Sequence, residues 1–241
     1  MPGASILPVA FHNNKLYFLF GKENPLEDSA VGYSDFGGGV ESGESPLDAA
    51  TREGSEELSG FLGTSQQLKT RLRKTGVYKI KYAFQGTAES EGRSKSANSR
   101  ERSSPGIENK NTYTIHIFPM SYDLEFVKYF NDNHAFLWNR MNKQMLNKSK
   151  LFEKIKVDWF CEDELQSRMA EYRPFYRDIV KTILAETGKI RAFVKSGTQT
   201  QTRRRKISKN RIFSKSQGFT DSEGRSKLTK SKRGSTQRGG Q

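Results

Sequence analysis

The chain has 241 residues, of which 33% are hydrophobic, so a core has to be concentrated in part of its length. A single cysteine, Cys161, rules out an internal disulfide framework and points to a reducing compartment, cytosol or nucleus; no apolar run approaches the roughly 20 residues of a bilayer span. The formal net charge is +14, and residues 196–241 hold 13 Lys and Arg against 2 Asp and Glu, which leaves +3 for everything before them.

In chain order, "MPGASILPVAFHNNKLYFLF" is interrupted by Pro8, His12, Asn13, Asn14 and Lys15. It reads as strands at Ile6–Phe11 and Leu16–Phe20, not as a signal peptide. A third strand is expected from Tyr33 to Val40. Next comes a helix start: Ser45 as a hydroxyl N-cap, Pro46 at the first helical position, and Asp48 in the first turn. Gly60 offers its stop. At 100° per residue Leu47, Ala50, Gly54 and Leu58 share a narrow arc, and Glu53, Glu56 and Glu57 fall in a neighbouring one.

Tyr78, Ile80, Tyr82 and Phe84 alternate as a half-buried strand does, and so do Tyr113, Ile115 and Ile117. They are expected to pair antiparallel around residues 86–111, a low-complexity insertion poor in core-building residues. A long insertion at such a place costs little, because loop-closure entropy grows only logarithmically with length. Beyond lie a helical region from Leu124 to Leu151, a strand "KIKVDWFC", and an amphipathic helix from Pro174 to Glu186. The compact part is expected over residues 1–195, with 196–241 a disordered basic tail. Strands interleaved with helices imply an α/β fold, a mixed sheet covered by helices.

The carboxylate arc calls for a counter-charge, since like charges one helical turn apart cost roughly 0.2–0.5 kcal/mol per pair. The bland reading is a solvated acidic face. A divalent cation reverses the sign: hard oxygen ligands select Mg²⁺ or Mn²⁺, and Mg²⁺ completes its shell with water and phosphate oxygens. Such a helix suits metal-assisted chemistry on phosphates.

With Gly38, Glu44, Arg52, Glu53, Glu56 and Glu57 at matching spacings, residues 33–63 resemble the Nudix box. The resemblance implies a Nudix α/β/α sandwich that hydrolyses a diphosphate linkage. Glu53, Glu56 and Glu57 would bind metal with the Gly38 carbonyl, and Glu44 and Arg52 would brace the loop against the helix. Two positions depart from the pattern. Gly54 replaces a bulky aliphatic, and Ser59 replaces a glycine that follows one place late as Gly60. A mid-helix glycine costs about 1 kcal/mol relative to alanine.

Glu153, Val157, Asp158, Trp159 and Phe160 are similar in wording to a strand of mRNA-decapping Nudix enzymes, which makes Glu153 a candidate general base. An ordinary strand-end glutamate and a buried tryptophan explain the same letters. Arg173, Arg177, Lys181 and Lys189 are expected opposite the apolar stripe of the last helix. With Arg203, Arg204, Arg205 and Lys206 they are candidate RNA-binding residues; the basic cluster equally suits nuclear import. Lys79, Lys81 and His116 suit the lining of a phosphate site, with the wet face of the sheet as the default reading. The layout is similar to Nudix proteins of large DNA viruses, some of which remove mRNA caps and cleave diphosphoinositol polyphosphates. The implied partner is capped RNA. The alternatives are a small polyphosphate substrate, either a diphosphoinositol polyphosphate or a dinucleoside polyphosphate, and a catalytically silent RNA-binding module.

Overall fold

The computed structural model describes residues 2–25, 31–84, 112–142, 144–145 and 152–217, the stretch 198–217 as backbone alone. The insertion 86–111 and residues 218–241 lie outside the described residues. Strands β1 (Gly3–His12) and β2 (Lys15–Glu23) form a hairpin whose two loop residues, Asn13 and Asn14, sit at φ +46° and +62°. Asparagine tolerates that left-handed conformation, which matches the twist of the flanking strands. β3 (Tyr33–Ser34) pairs with β2 and β4 (Phe36–Gly39) pairs with β1. The single strand expected over Tyr33–Val40 is therefore two, because the chain changes neighbours at Asp35.

β5 (Tyr78–Ala83) and β6 (Thr112–Pro119) pair antiparallel, as their alternation requires, and β6 runs parallel to β1. β7 (Lys154–Cys161) pairs antiparallel with β2. The result is a mixed sheet of order β3-β2-β1-β6-β5, with β4 and β7 joined to β1 and β2. The helices are α1 (Pro46–Glu57), α2 (Ser65–Thr75), α3 (Leu124–Arg140) and α4 (Tyr176–Gln217). α2 went unread in the sequence: only Leu68 and Leu72 are buried, and its clearest signal is the Thr64/Gln67 capping box. α3 stops at Arg140, well short of Leu151, and α4 begins at Tyr176 and runs far beyond Glu186. By contacts the chain divides into Met1–Gln199 and Thr200–Gln241, the described part of the second being helical backbone. Among the described residues no helix is long and apolar enough to cross a membrane.

Strand alternation sends side chains into two cores. Leu7, Val9, Phe18, Phe20, Ile115 and Ile117 meet Tyr176, Ile179, Val180 and Ile183 of α4. Ala4, Ile6, Leu19, Phe36 and Phe118 meet α1, α2 and α3 through Ala50, Leu68 and Phe130. The fold is thus α/β, with helices on both faces of a mixed sheet. The outer edge of β7 is covered by Asn131, whose amide accepts from Val157 N at 2.8 Å and donates to Val157 O at 3.0 Å. A side chain there stands in for a further strand.

Gly54 has a structural reason. A Cβ on it would lie 2.4 Å from Ile6 Cδ1, so Ile6 fills the space a bulky residue at position 54 would take. Gly54→Ala should therefore destabilise the protein by roughly 1–3 kcal/mol in denaturant unfolding, despite alanine's better helix propensity. Adding Ile6→Val should recover most of the loss. Equal stability of Gly54→Ala and the unmodified chain would show that Ile6 yields at no cost.

Candidate active site

The start of α1 is built as its sequence dictates: the Ser45 hydroxyl accepts from Asp48 N at 3.2 Å, and Pro46 needs no partner for a missing N–H. Seven residues on, Arg52 gathers the preceding loop. Its Nε donates to Glu44 Oε1 at 3.1 Å and its Nη2 to Glu44 Oε2 at 3.0 Å and to the Gly39 carbonyl at 3.1 Å. Its Nη1 reaches Glu53 Oε1 at 2.8 Å. The two-pronged bond from Arg52 holds the Glu44 carboxyl below the usual carboxylate range.

The Glu53 carboxylate lies against β4: a Cβ on Gly38 would meet Glu53 Oε1 at 2.5 Å, so only glycine admits it there. Glu56, one turn along, has a side chain 63% exposed and 3.6 Å from Arg52. Glu57 goes the other way. It is buried, accepts from Gly37 N at 2.8 Å through Oε2, and faces Lys154 Nζ at 3.4 Å through Oε1. The helix then ends in paired bonds, Ser59 N to Glu56 O and Gly60 N to Ser55 O, both 2.8 Å. This termination needs a left-handed residue at position 59, and Ser59 supplies it at φ +49° where the resembled pattern has glycine.

Inside the fold lies a charge cluster that the sequence reading missed. Lys154 is 1% exposed; it is ion-paired to Glu23, its partner in the β2–β7 register, and donates to Ser34 Oγ at 2.8 Å. Arg173 Nη1 takes the same Glu23 oxygen at 2.8 Å. Burial alone would push the Lys154 ammonium down, but Glu57 and Glu23 outweigh it and hold it above its ordinary value. Burial pushes the Glu57 carboxyl up and Lys154 opposes that, with Glu23, Glu153 and Asp35 adding to the rise. Removing one partner of such a buried pair costs about 3–5 kcal/mol, whereas removing both is often neutral. Asp35 is buried beside them, accepting from Ser5 Oγ and from Tyr113 OH at 2.8 Å. Its burial raises it to about 6 against those hydrogen bonds. Alternation alone puts Lys154 on the face of Phe160, but nothing local says that Glu23 waits opposite.

Glu153 precedes β7; its carbonyl accepts from Asn24 N at 2.9 Å and its charge is felt by Glu57, which sets it beside the box helix. Trp159 is half-buried and donates Nε1 to the Asp123 carbonyl at 2.9 Å, so packing accounts for it. Arg173 departs from its expected place: it precedes α4, and Glu23 draws it inward, away from an outward basic face. Arg177 donates to the carbonyls of Tyr172 and Ala170 at 3.4 Å, and Lys181 and Lys189 pair with Asp178 and Glu186 one turn away. Arg203, Arg204, Arg205 and Lys206 lie on the stretch described by backbone alone.

Lys79 and Lys81 are exposed, as a wet face requires, and with the buried His116 they line a cavity of about 690 Å³. β5 and β6 form its floor, with Thr112 and Thr114, and Ser45, Pro46 and Leu47 at the start of α1 form one wall. Pro2 and Gly3 join it to the glycine turn, since Val40 N donates to Pro2 O at 3.0 Å and Gly3 faces Gly39 across the sheet. Among the described residues no carboxylate and no Phe, Tyr or Trp lines it. The His116 ring donates Nδ1–H to the Ser5 carbonyl at 3.2 Å, and burial, with Lys79 nearby, lowers its pKa. The ring is therefore neutral, with Nε2 left as an acceptor.

Hard oxygen donors on two turns of α1, one of them seated on Gly38, fit Mg²⁺ or Mn²⁺ in kind. Among the described residues, however, no group of three or more His, Cys, Asp and Glu side chains converges to hold an ion.

No protein-family model matches the chain. An uncharacterized protein of Acanthamoeba polyphaga mimivirus is 37% identical to it over 81 residues, 33% of this chain and 26% of that protein, so the chain spans about a quarter of that relative's length. Among solved structures, a Nudix hydrolase from M. smegmatis, RenU, is similar at a TM-score of 0.44 and 16% identity, covering 79% of this chain and 88% of that one. A C. elegans Ap4A hydrolase in a binary complex is similar at a TM-score of 0.38 and 12% identity, covering 78% and 98%. A Nudix hydrolase from Nitrosomonas europaea gives 0.33 and 17%, covering 77% and 90%.

Asp35 yields a pH test. Its folded pKa of about 6 lies above the ordinary value of 3.8, so the folded state holds a proton that the unfolded chain releases first. Its contribution is present below the unfolded value and is lost as pH rises through about 6. Asp35→Asn, which keeps an acceptor for Tyr113, should flatten this slope. Urea unfolding at pH 4 and pH 7 should show the unmodified chain losing up to about 3 kcal/mol more than the variant. Parallel pH profiles would mean that Asp35 is ionised throughout.

Proposed function

We propose that this chain is a metal-dependent hydrolase of the Nudix type that cleaves a diphosphate linkage. The observation that carries the reading is a carboxylate helix clamped by Arg52 onto a glycine turn, with Glu53 seated on Gly38, beside a cleft lined by cations and free of carboxylates. Mg²⁺ or Mn²⁺, held by carboxylates of α1 with the Gly38 carbonyl, would supply the positive charge that neutralises a diphosphate bridge. Lys79 and Lys81 bind the outer phosphates, and the neutral His116 accepts a hydrogen bond from a substrate hydroxyl. Water attacks a bridge phosphorus, Glu153 takes its proton, and the bridging P–O bond breaks to release two phosphate-ended products.

Capped RNA is the substrate that the Glu153–Phe160 wording and the +11 charge of residues 196–241 support, giving a methylated guanosine diphosphate and 5′-monophosphate RNA. RNA outside the cleft gains from that charge, whereas a small nucleotide does not. A second reading has its own observation. A cleft with two lysines and, among the described residues, no Phe, Tyr or Trp offers phosphates more than it offers a base, which favours a diphosphoinositol polyphosphate, with a dinucleoside polyphosphate as the other small substrate. A catalytically silent RNA-binding module is the outcome if no diphosphate is turned over.

The test measures release of labelled cap from capped RNA, beside turnover of a diphosphoinositol polyphosphate, each with Mg²⁺ or Mn²⁺. A double change, Glu53→Gln with Glu56→Gln, should lower kcat on the true substrate roughly a hundredfold or more. Changing Arg203, Arg204, Arg205 and Lys206 together to glutamine should reduce the salt dependence of cap release and leave inositol turnover alone. Lys79→Gln with Lys81→Gln should raise KM on a small polyanion about tenfold. Turnover of the inositol substrate alone selects the second reading; RNA binding with no turnover selects the third.

A further inference from the structure

Taking the metal-hydrolase reading as its basis, we propose that Lys154 serves as a fixed internal cation for Glu57, so that Glu57 positions the glycine turn while Glu53 and Glu56 carry the divalent ions. Both Glu57 oxygens are already engaged, one by Gly37 N–H at 2.8 Å and the other by Lys154 at 3.4 Å. Lys154 cannot swing out: it is 1% exposed, held in β7 opposite Glu23, and bonded to Ser34. Two cations, Lys154 and Arg173, face two carboxylates, Glu23 and Glu57, with Asp35 buried beside them. A divalent ion at Glu57 would sit beside two buried cations, where low dielectric magnifies repulsion. Glu53 and Glu56 face Arg52 instead, whose side chain is partly exposed. Glu57 and Lys154 are positioning residues: through the Gly37 N–H they tie β4 to β7 and keep Gly38 beneath the Glu53 carboxylate.

The test is a Mn²⁺ titration of the full chain without substrate, read by electron paramagnetic resonance of free Mn²⁺, with melting curves for each variant. Glu53→Gln and Glu56→Gln should each weaken Mn²⁺ by about tenfold or more. The double variant Lys154→Met with Glu57→Gln removes one buried cation and one buried carboxylate together, leaving Glu23 and Arg173 paired. It should hold Mn²⁺ within about twofold of the unmodified chain, a shift far below that of losing a ligand. Should this double variant fail to fold, Glu57→Gln alone, whose amide oxygen still accepts from Gly37, is expected to show the same unchanged affinity. Lys154→Met alone frees a Glu57 oxygen and should tighten Mn²⁺ about tenfold, an effect that Lys154→Arg reverses and a merely structural lysine would not produce. A tenfold loss in the double variant or in Glu57→Gln, or an unchanged affinity in Lys154→Met, overturns the proposal and leaves the hydrolase reading standing. No Mn²⁺ binding by the unmodified chain removes both.

Discussion

The site is organised around one buried ion cluster. Lys154 enters from β7, Glu23 from β2, Arg173 from the segment before α4, and Glu57 from the last turn of α1. Each group taken singly would be costly in a low-dielectric interior, and they are tolerable there only together. Their mutual need gives the cluster its structural effect. It fixes the end of α1 against the sheet at the place where β3 leaves β2 and β4 joins β1, and so decides where the glycine turn lies.

Two cations divide the acidic arc of α1 between them. Arg52 works at the surface, drawing Glu44, Glu53 and the Gly39 carbonyl together. Lys154 works from within, holding Glu57 by its inner oxygen. Like charges that would repel on an isolated helix are thereby shared between two cations: Glu53, 15% exposed, and Glu56, 63% exposed, beside Arg52, and Glu57 beside Lys154 in the core. The cationic cleft begins where this arrangement ends, since Pro2 and Gly3 belong both to the cleft wall and to the backbone against β4.

The two departures from the resembled box have different physical standing. Gly54 is compensated, because Ile6 of β1 occupies the volume that a larger helical residue would fill. Ser59 is not: it adopts φ +49° with a Cβ in the way, so the helix end carries a strain that glycine would not. A contact from Ser59 Oγ to His134 Nε2 at 3.3 Å is what the serine has in return.

Local chemistry was legible in the sequence. The Ser45–Pro46 start of α1, the alternation in β5, β6 and β7 and the apolar stripe of α4 all follow from spacings of a few residues, which chain geometry converts directly into neighbours, whereas the partnership of Glu44 with Arg52 came with the family resemblance. α2 was missed because a helix with two buried leucines is held by its caps and by Lys69 on Asp48, not by a broad apolar face. What only the tertiary structure decided is who stands opposite whom across the sheet. The register sets Lys154 on Glu23, and Arg173, expected on a basic face, is turned inward by the same carboxylate. Lys79 and Lys81 became cleft residues only because α1 ends its approach above them. For Lys154 and Arg173 the deciding quantity is the burial of a charge, which depends on a partner more than a hundred residues away, and no local pattern encodes it.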